Sequence, residues 1–287
     1  MSTIISKNVK SSDGGVIYAE ATGDSSKPAI VFAAGYCLPS LVFQKQFEDE
    51  NLRKNFHLVR YDPRGHGQSV KPETAEGHSS KLYADDFAAV CKAFNVDKPV
   101  VAFWSLAGAI VVDICTYLGP EAISGVVYIA AFTHLEPKFL QEIANPEIMK
   151  MLPGTQITDD VAAYKKAIVA FSRTCVLNPD SIPLETRYAW LGANLFVPPV
   201  VCKLILTRSQ DDQKLFDAGK SGKLKVLFLH GNEDIQRNGG MAVVNATKGF
   251  FQNPEVAGID GIGHAPFCEA PEEFNRIVGE FARKVTG

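Results

Sequence analysis

Five short apolar runs, separated by stretches with helical spacing, constrain the fold more than any other feature of this chain. They are AIVFAA (29–34), HLVRYD (57–62), KPVVAFW (98–104), GVVYIAA (125–131) and KVLFLHG (225–231). Near-continuous apolar runs of this length read as strands buried on both faces. Strands alternating with helices imply a mostly parallel sheet with helices on either side. An earlier strand, VIYAEA, follows the turn SDGG, and a late one is expected at 255–260. Helical patterns occupy 40–54, 79–95 (Leu82, Phe87, Val90, Phe94), 106–118, the region near 239–251, and 271–285.

The rhythm breaks between His134 and Gly222, where helical patterns and Pro-punctuated loops carry no buried strand. This stretch, 134–222, is expected to be a helical cap inserted into an α/β core formed by 1–133 and 223–287. A chain of 287 residues can bury a core of that size.

Charge and cysteine usage exclude several classes of function. The net charge is −3 and no dense Lys/Arg run occurs, so a nucleic-acid partner has no electrostatic footprint. No apolar run approaches the roughly 20 residues needed to span a bilayer. The first residues lack the basic and apolar regions of a secretory signal. The six cysteines (37, 91, 115, 175, 202 and 268) stand singly, without a C-x-x-C pair. A zinc site or disulfide framework is therefore not expected, and a cytoplasmic setting is.

Three residues suited to nucleophilic catalysis stand at the ends of expected strands. Ser105 lies where VVAFW turns into a helix, Asp234 just past VLFLHG in HGNED, and His264 after the late strand in GIGHAPF. In a parallel sheet the carboxyl ends of the strands share one edge, so these three loops are brought near each other. A serine hydroxyl needs a base within reach and a third group to orient that base. His264 and Asp234 have the right chemistry, although Glu233 competes with Asp234. Alone, each has an ordinary alternative: a turn serine, or an aspartate capping a helix.

With these loops in view, the chain resembles the α/β-hydrolase family over nearly its whole length. DPRGHGQS (62–69) is similar to that family's D-x-R-G-x-G-x-S turn, GIGHAPFCEAPEEF (261–274) to its histidine region, and HGNED to its acid loop. The resemblance implies an α/β-hydrolase fold, a Ser105–His264–Asp234 triad in the chain order Ser…Asp…His, and oxyanion donors on the backbone of Tyr36 and Leu106. It implies a serine hydrolase acting on a small to medium carboxylic ester or lactone, with no metal or cofactor, and the apolar stretch WLGANLFVPPVVCKLIL (190–206) of the expected cap points to an apolar substrate. The alternatives are an acyltransferase, a non-hydrolytic lyase or oxidative enzyme using the same triad, or a ligand receptor with little or no turnover.

The departures cluster at the nucleophile. The family's G-x-S-x-G reads Phe103-Trp104-Ser105-Leu106-Ala107, with Gly108 one place later. The glycines let strand and helix pack closely, so Phe103 either fills space left by small neighbours or displaces Ser105. Trp104, Trp190, Phe196 and His134 are the candidates for lining a substrate pocket, although aromatics at such spacing are more often core. Asp62, Arg64 and His66 are expected to be structural.

Overall fold

The computed structural model describes residues 3–287. Eight strands form one sheet: β1 (Ile5–Lys10), β2 (Val16–Gly23), β3 (Ala29–Ala33), β4 (His57–Tyr61), β5 (Val100–Trp104), β6 (Gly125–Ile129), β7 (Val226–Gly231) and β8 (Glu255–Ile259). Their order is β1-β2-β4-β3-β5-β6-β7-β8. β1 and β2 run antiparallel to their neighbours, and from β4 to β8 every pairing is parallel. The mostly parallel α/β sheet expected from the apolar runs is therefore present. β1 escapes a reading based on apolar runs because it is a polar, largely exposed edge strand.

Both faces of the central strands are buried, and side-chain alternation sorts them into two apolar layers. Val31, Val101, Phe103, Tyr128 and Phe228 pack on one side, with Phe87, Val90 and Ile114 from helices Ser80–Ala93 and Ile110–Tyr117. Ile30, Ala102, Trp104, Ile129 and Leu229 pack on the other, with Phe43, Phe47, Phe267 and the closing helix Pro271–Thr286. Adjacent residues Phe103 and Trp104 thus belong to opposite layers.

Several helices are shorter than the apolar spacing suggests. The 40–54 pattern breaks at Asp49, whose carboxylate accepts from the Leu52 amide at 2.7 Å and starts a new helix, Glu50–Asn55. The 239–251 pattern contracts to Ala242–Ala246, between Gly239 and Gly249, which both have positive φ.

Residues 134–222 carry helices and, among the described residues, no strand. The ends of this stretch pack with the core. Phe139, Ile143, Leu215, Phe216 and Ala218 share the apolar layer of β5–β7. The middle helices, including Val161–Arg173, Leu184–Leu195 and Pro199–Thr207, sit over the strand ends. Phe171, Val201, Cys202 and Ile205 close on Tyr36, Cys37 and Leu106. Among the described residues no single helix is long and apolar enough to cross a membrane. The pair Leu184–Leu195 and Pro199–Thr207 is apolar enough in sum but bends by 84°.

Candidate active site

Ser105 follows β5 directly and adopts φ +54°, a left-handed conformation that is strained for a residue with a side chain. A helical turn, Ser105–Ala109, and then the helix Ile110–Tyr117 lead away from it. Two glycines make the tight turn possible. A Cβ on Gly35 would lie 2.7 Å from Ser105 Cβ, and one on Gly108 only 2.3 Å from the Phe132 carbonyl oxygen. The close approach served by glycine therefore falls at Gly108, and Ala107 is accommodated in the core.

Phe103 does not crowd the serine. Its ring meets Tyr61 and Phe87 edge-on, at 6.2 and 6.4 Å, on the far face of the sheet. Trp104 occupies the near face and donates its indole N–H to the His264 carbonyl oxygen at 2.8 Å. It is buried between His264, Phe267 and Trp190.

The loops after β5, β7 and β8 converge on a buried chain of hydrogen bonds. Ser105 Oγ lies 2.9 Å from His264 Nε2, and His264 Nδ1 lies 2.8 Å from Asp234 Oδ2. Asp234 Oδ1 accepts from the Gln236 amide at 2.9 Å. Glu233 instead accepts from the Ile262 amide. Burial disfavours the Asp234 carboxylate, yet His264 and Arg237 hold its pKa below the ordinary value. Burial lowers the His264 pKa, and Arg237 lowers it further, against the pull of Asp234. Burial and the Arg237 charge thus favour the neutral imidazole, the form that can accept a proton.

Two groups near this chain have no role in the sequence reading. Glu269 accepts from the amides of Gly263 and Ala265, and from that of Leu177 in the 134–222 stretch, at 2.8–3.2 Å. It clamps the histidine loop to the helices above. Arg237 extends its guanidinium to 3.0 Å from the Ala130 carbonyl oxygen and 3.5 Å from Ser105 Oγ. The position of Glu269 in the histidine motif was a signal for the first. Nothing local marks the second.

The remaining candidates are scattered. Tyr36 follows Gly35 beside Ser105, and its hydroxyl bonds Thr155 in the 134–222 stretch at 2.7 Å. Trp190 lines two clefts, one of about 150 Å³ with Val169, Val176 and Arg187 and one of about 350 Å³ with Leu41, Lys45 and Cys268, and neither is lined by Ser105, Asp234 or His264. Phe196 lines neither of these two clefts. It is 79% exposed, because it ends the helix Leu184–Leu195 on the outer side. His134 also turns elsewhere: it stacks on Phe139 at 4.1 Å and borders a separate groove with Leu140, Leu206 and Gln210. Asp62 ties its own turn together, accepting from Ser40 and the Gln68 amide, while Arg64 forms a bidentate pair with Asp86. His66 is held by the Arg64 carbonyl, and burial lowers its pKa to about 4. Among the described residues, no cluster of His, Cys, Asp and Glu has the makings of a metal site.

A serine on a strained elbow after a central parallel strand, bonded through histidine to aspartate, defines a protein of the α/β-hydrolase class. Residues 28–159 match the family model described as alpha/beta hydrolase fold. An X-ray structure assigned as an aryl esterase from Burkholderia cenocepacia superposes with a TM-score of 0.86 at 26% identity, covering 98% of this chain and 99% of that one. Esterase RhEst1 from Rhodococcus sp. ECU1013 gives a TM-score of 0.85 at 25% identity, with the same coverage. The AB hydrolase superfamily protein YisY of Bacillus subtilis is 24% identical over 257 residues, 88% of this chain and 91% of its own. The chain belongs to the α/β-hydrolase fold superfamily.

Proposed function

We propose that the protein is a serine hydrolase that cleaves small to medium, largely apolar carboxylic esters or lactones through an acyl-enzyme. The observation that carries this reading is the hydrogen-bonded chain from Asp234 through His264 to Ser105, with the serine at φ +54°. The similarity to esterase RhEst1 and to a structure assigned as an aryl esterase, at 25–26% identity over nearly the full length, supports ester hydrolysis in general.

In this reading Ser105 Oγ attacks the substrate carbonyl as His264 Nε2 takes its proton. Asp234 keeps the Nδ1 proton in place and stabilises the imidazolium that forms. The amides of Tyr36 and Leu106 face the developing oxyanion, a role supported by the close packing of Gly35 on Ser105. His264 returns the proton to the departing alcohol. It then activates a water that releases the acid and restores the serine. An apolar substrate is supported by the apolar cluster of Tyr36, Leu106, Phe171 and Val201 around the loops that flank Ser105. The receptor alternative draws on Phe103, and the burial of that ring against Tyr61 and Phe87 removes its motive.

The test is intact-mass analysis after treatment with a small fluorophosphonate. One equivalent of adduct is expected on the native protein, none on Ser105→Ala and little on His264→Ala. A folded protein that stays unlabelled under conditions where a known serine esterase reacts would sink the reading. Turnover of an ester panel graded in chain length then defines the acyl-chain preference.

A further inference from the structure

A buried cation stands beside Ser105 without a carboxylate of its own. Arg237 is only 4% exposed, and its guanidinium lies 4.0 Å over the Phe132 ring. Its Nε is buried with no hydrogen-bond partner, and among the described residues no carboxylate forms an ion pair with it. The other buried arginines are all paired: Arg60 with Glu20, Arg64 with Asp86, and Arg208 with Asp113. Asp234 is near enough to feel the charge, but both its oxygens are engaged by His264 and the Gln236 amide. A desolvated guanidinium is costly unless an anion compensates it.

The backbone around Arg237 is rigidly anchored, so the side chain is aimed and not adrift. Asn145 donates to the Gln236 carbonyl, and Asn238 donates to the Ile143 carbonyl. The Asn238 side chain adds bonds to the carbonyls of Glu142 and Ala144. The direction of the guanidinium also matters. The loop after β3, with Gly35 and Tyr36, flanks Ser105 on one side of β5. Ala130, which receives Arg237, ends β6 on the opposite side. The guanidinium therefore reaches Ser105 from the side of β5 opposite the Tyr36 loop.

We propose that Arg237 is a specificity-determining residue that binds a carboxylate carried by the substrate, within a few bonds of the scissile carbonyl. This rests on the reading of Ser105 as an ester-cleaving nucleophile and refines its substrate class: an ester apolar in most of its surface, with one anionic group near the reacting carbon. The carboxylate takes no part in bond making. Water adds across the ester to give acid and alcohol, while the carboxylate fixes which side of the molecule meets β6. Arginine suits this task because its planar fork matches a carboxylate and keeps its charge at neutral pH.

The test uses two matched pairs of esters. Monoethyl succinate and ethyl succinamate place the charge, or its neutral amide, on the acyl side. O-acetylglycolate and O-acetylglycolamide place it on the alcohol side. The native enzyme is expected to prefer the charged member of one pair by about tenfold or more in kcat/KM, and the pair concerned identifies the side. Arg237→Gln is expected to erase that preference and Arg237→Lys to retain part of it. No preference in the native enzyme for either charged ester, or an equal preference in Arg237→Gln, overturns the proposal and leaves Arg237 as a support for Ala130. Should Arg237→Gln not fold, protection of native Ser105 from fluorophosphonate decides. Succinamate must protect better than succinamide, and equal protection overturns the proposal. Absence of any labelling overturns the serine-hydrolase reading itself, so the two failures are distinguishable.

Discussion

The indole N–H of Trp104 donates to the carbonyl oxygen of His264 at 2.8 Å. The residue that precedes the candidate nucleophile therefore grips the loop of its candidate base, across 160 positions of sequence. In a parallel sheet, residues that alternate along a strand face opposite layers. Phe103 on the far face and Trp104 on the near face follow from that alternation. The bulky replacement in the G-x-S-x-G pattern falls where Tyr61 and Phe87 absorb it.

Restoring the family's glycine at that place should damage the protein. Phe103→Gly empties a fully buried site and loosens the strand backbone. A loss of about 3–5 kcal/mol or more is expected in urea unfolding, with no gain in esterase turnover. Unchanged stability together with faster turnover would contradict this packing argument.

Gly35→Ala should act directly on the reacting serine. The added methyl would lie 2.7 Å from Ser105 Cβ and 3.1 Å from the Trp104 carbonyl oxygen, so the elbow or the loop after β3 must shift. Fluorophosphonate labelling of Ser105 should slow by about 10² or more, the scale of losing one oxyanion donor. The melting temperature is the control for a general loss of fold.

Asp234→Asn keeps the size of the side chain but offers the wrong hydrogen-bonding pattern to Nδ1, favouring the histidine tautomer that cannot accept from Ser105. The expected fall in kcat is on the order of 10³–10⁴. Glu233→Gln should leave kcat within a few-fold of the native value, because Glu233 bonds the Ile262 amide and not His264.

The pH dependence follows from burial of His264. Its pKa lies below the ordinary histidine value, first through desolvation and then through the Arg237 charge. The neutral form, which accepts the serine proton, therefore persists below pH 6.5, and kcat/KM should fall only as pH drops through that lowered value. Arg237→Gln removes one of the two influences that lower it, so the acid limb should move to higher pH. A limb that stays put or moves to lower pH would show that the Arg237 charge does not reach the imidazole.

Glu269→Ala releases three amide donors at once, those of Leu177, Gly263 and Ala265. Faster hydrogen exchange at Gly263 and Ala265 and a kcat reduced by about tenfold are the expected signature. Glu269→Gln retains one acceptor oxygen and should fall between the two.

Much of this arrangement was legible along the chain. The apolar runs disclosed the buried strands because a strand covered on both faces has no polar positions to spare. The three loops bearing Ser105, Asp234 and His264 were legible because parallel strands deliver their carboxyl ends to one edge. β1 was hidden by the same logic: an exposed edge strand needs no apolar run.

What only the tertiary structure decided is where side chains from separate loops point once those loops meet. His134 and Phe196 have the composition of pocket residues. One stacks on Phe139 and the other faces outward, because helix rotation and the turn at each helix end set their directions. Arg237 reads in sequence as an ordinary loop arginine. It stands 3.5 Å from Ser105 Oγ only because β6 separates β5 from β7 in the sheet, and because Asn145 and Asn238 tie its backbone to the segment around Ile143. Hydrophobic periodicity encodes which face of an element is buried. It carries no information on the long-range packing that sets a guanidinium beside a nucleophile.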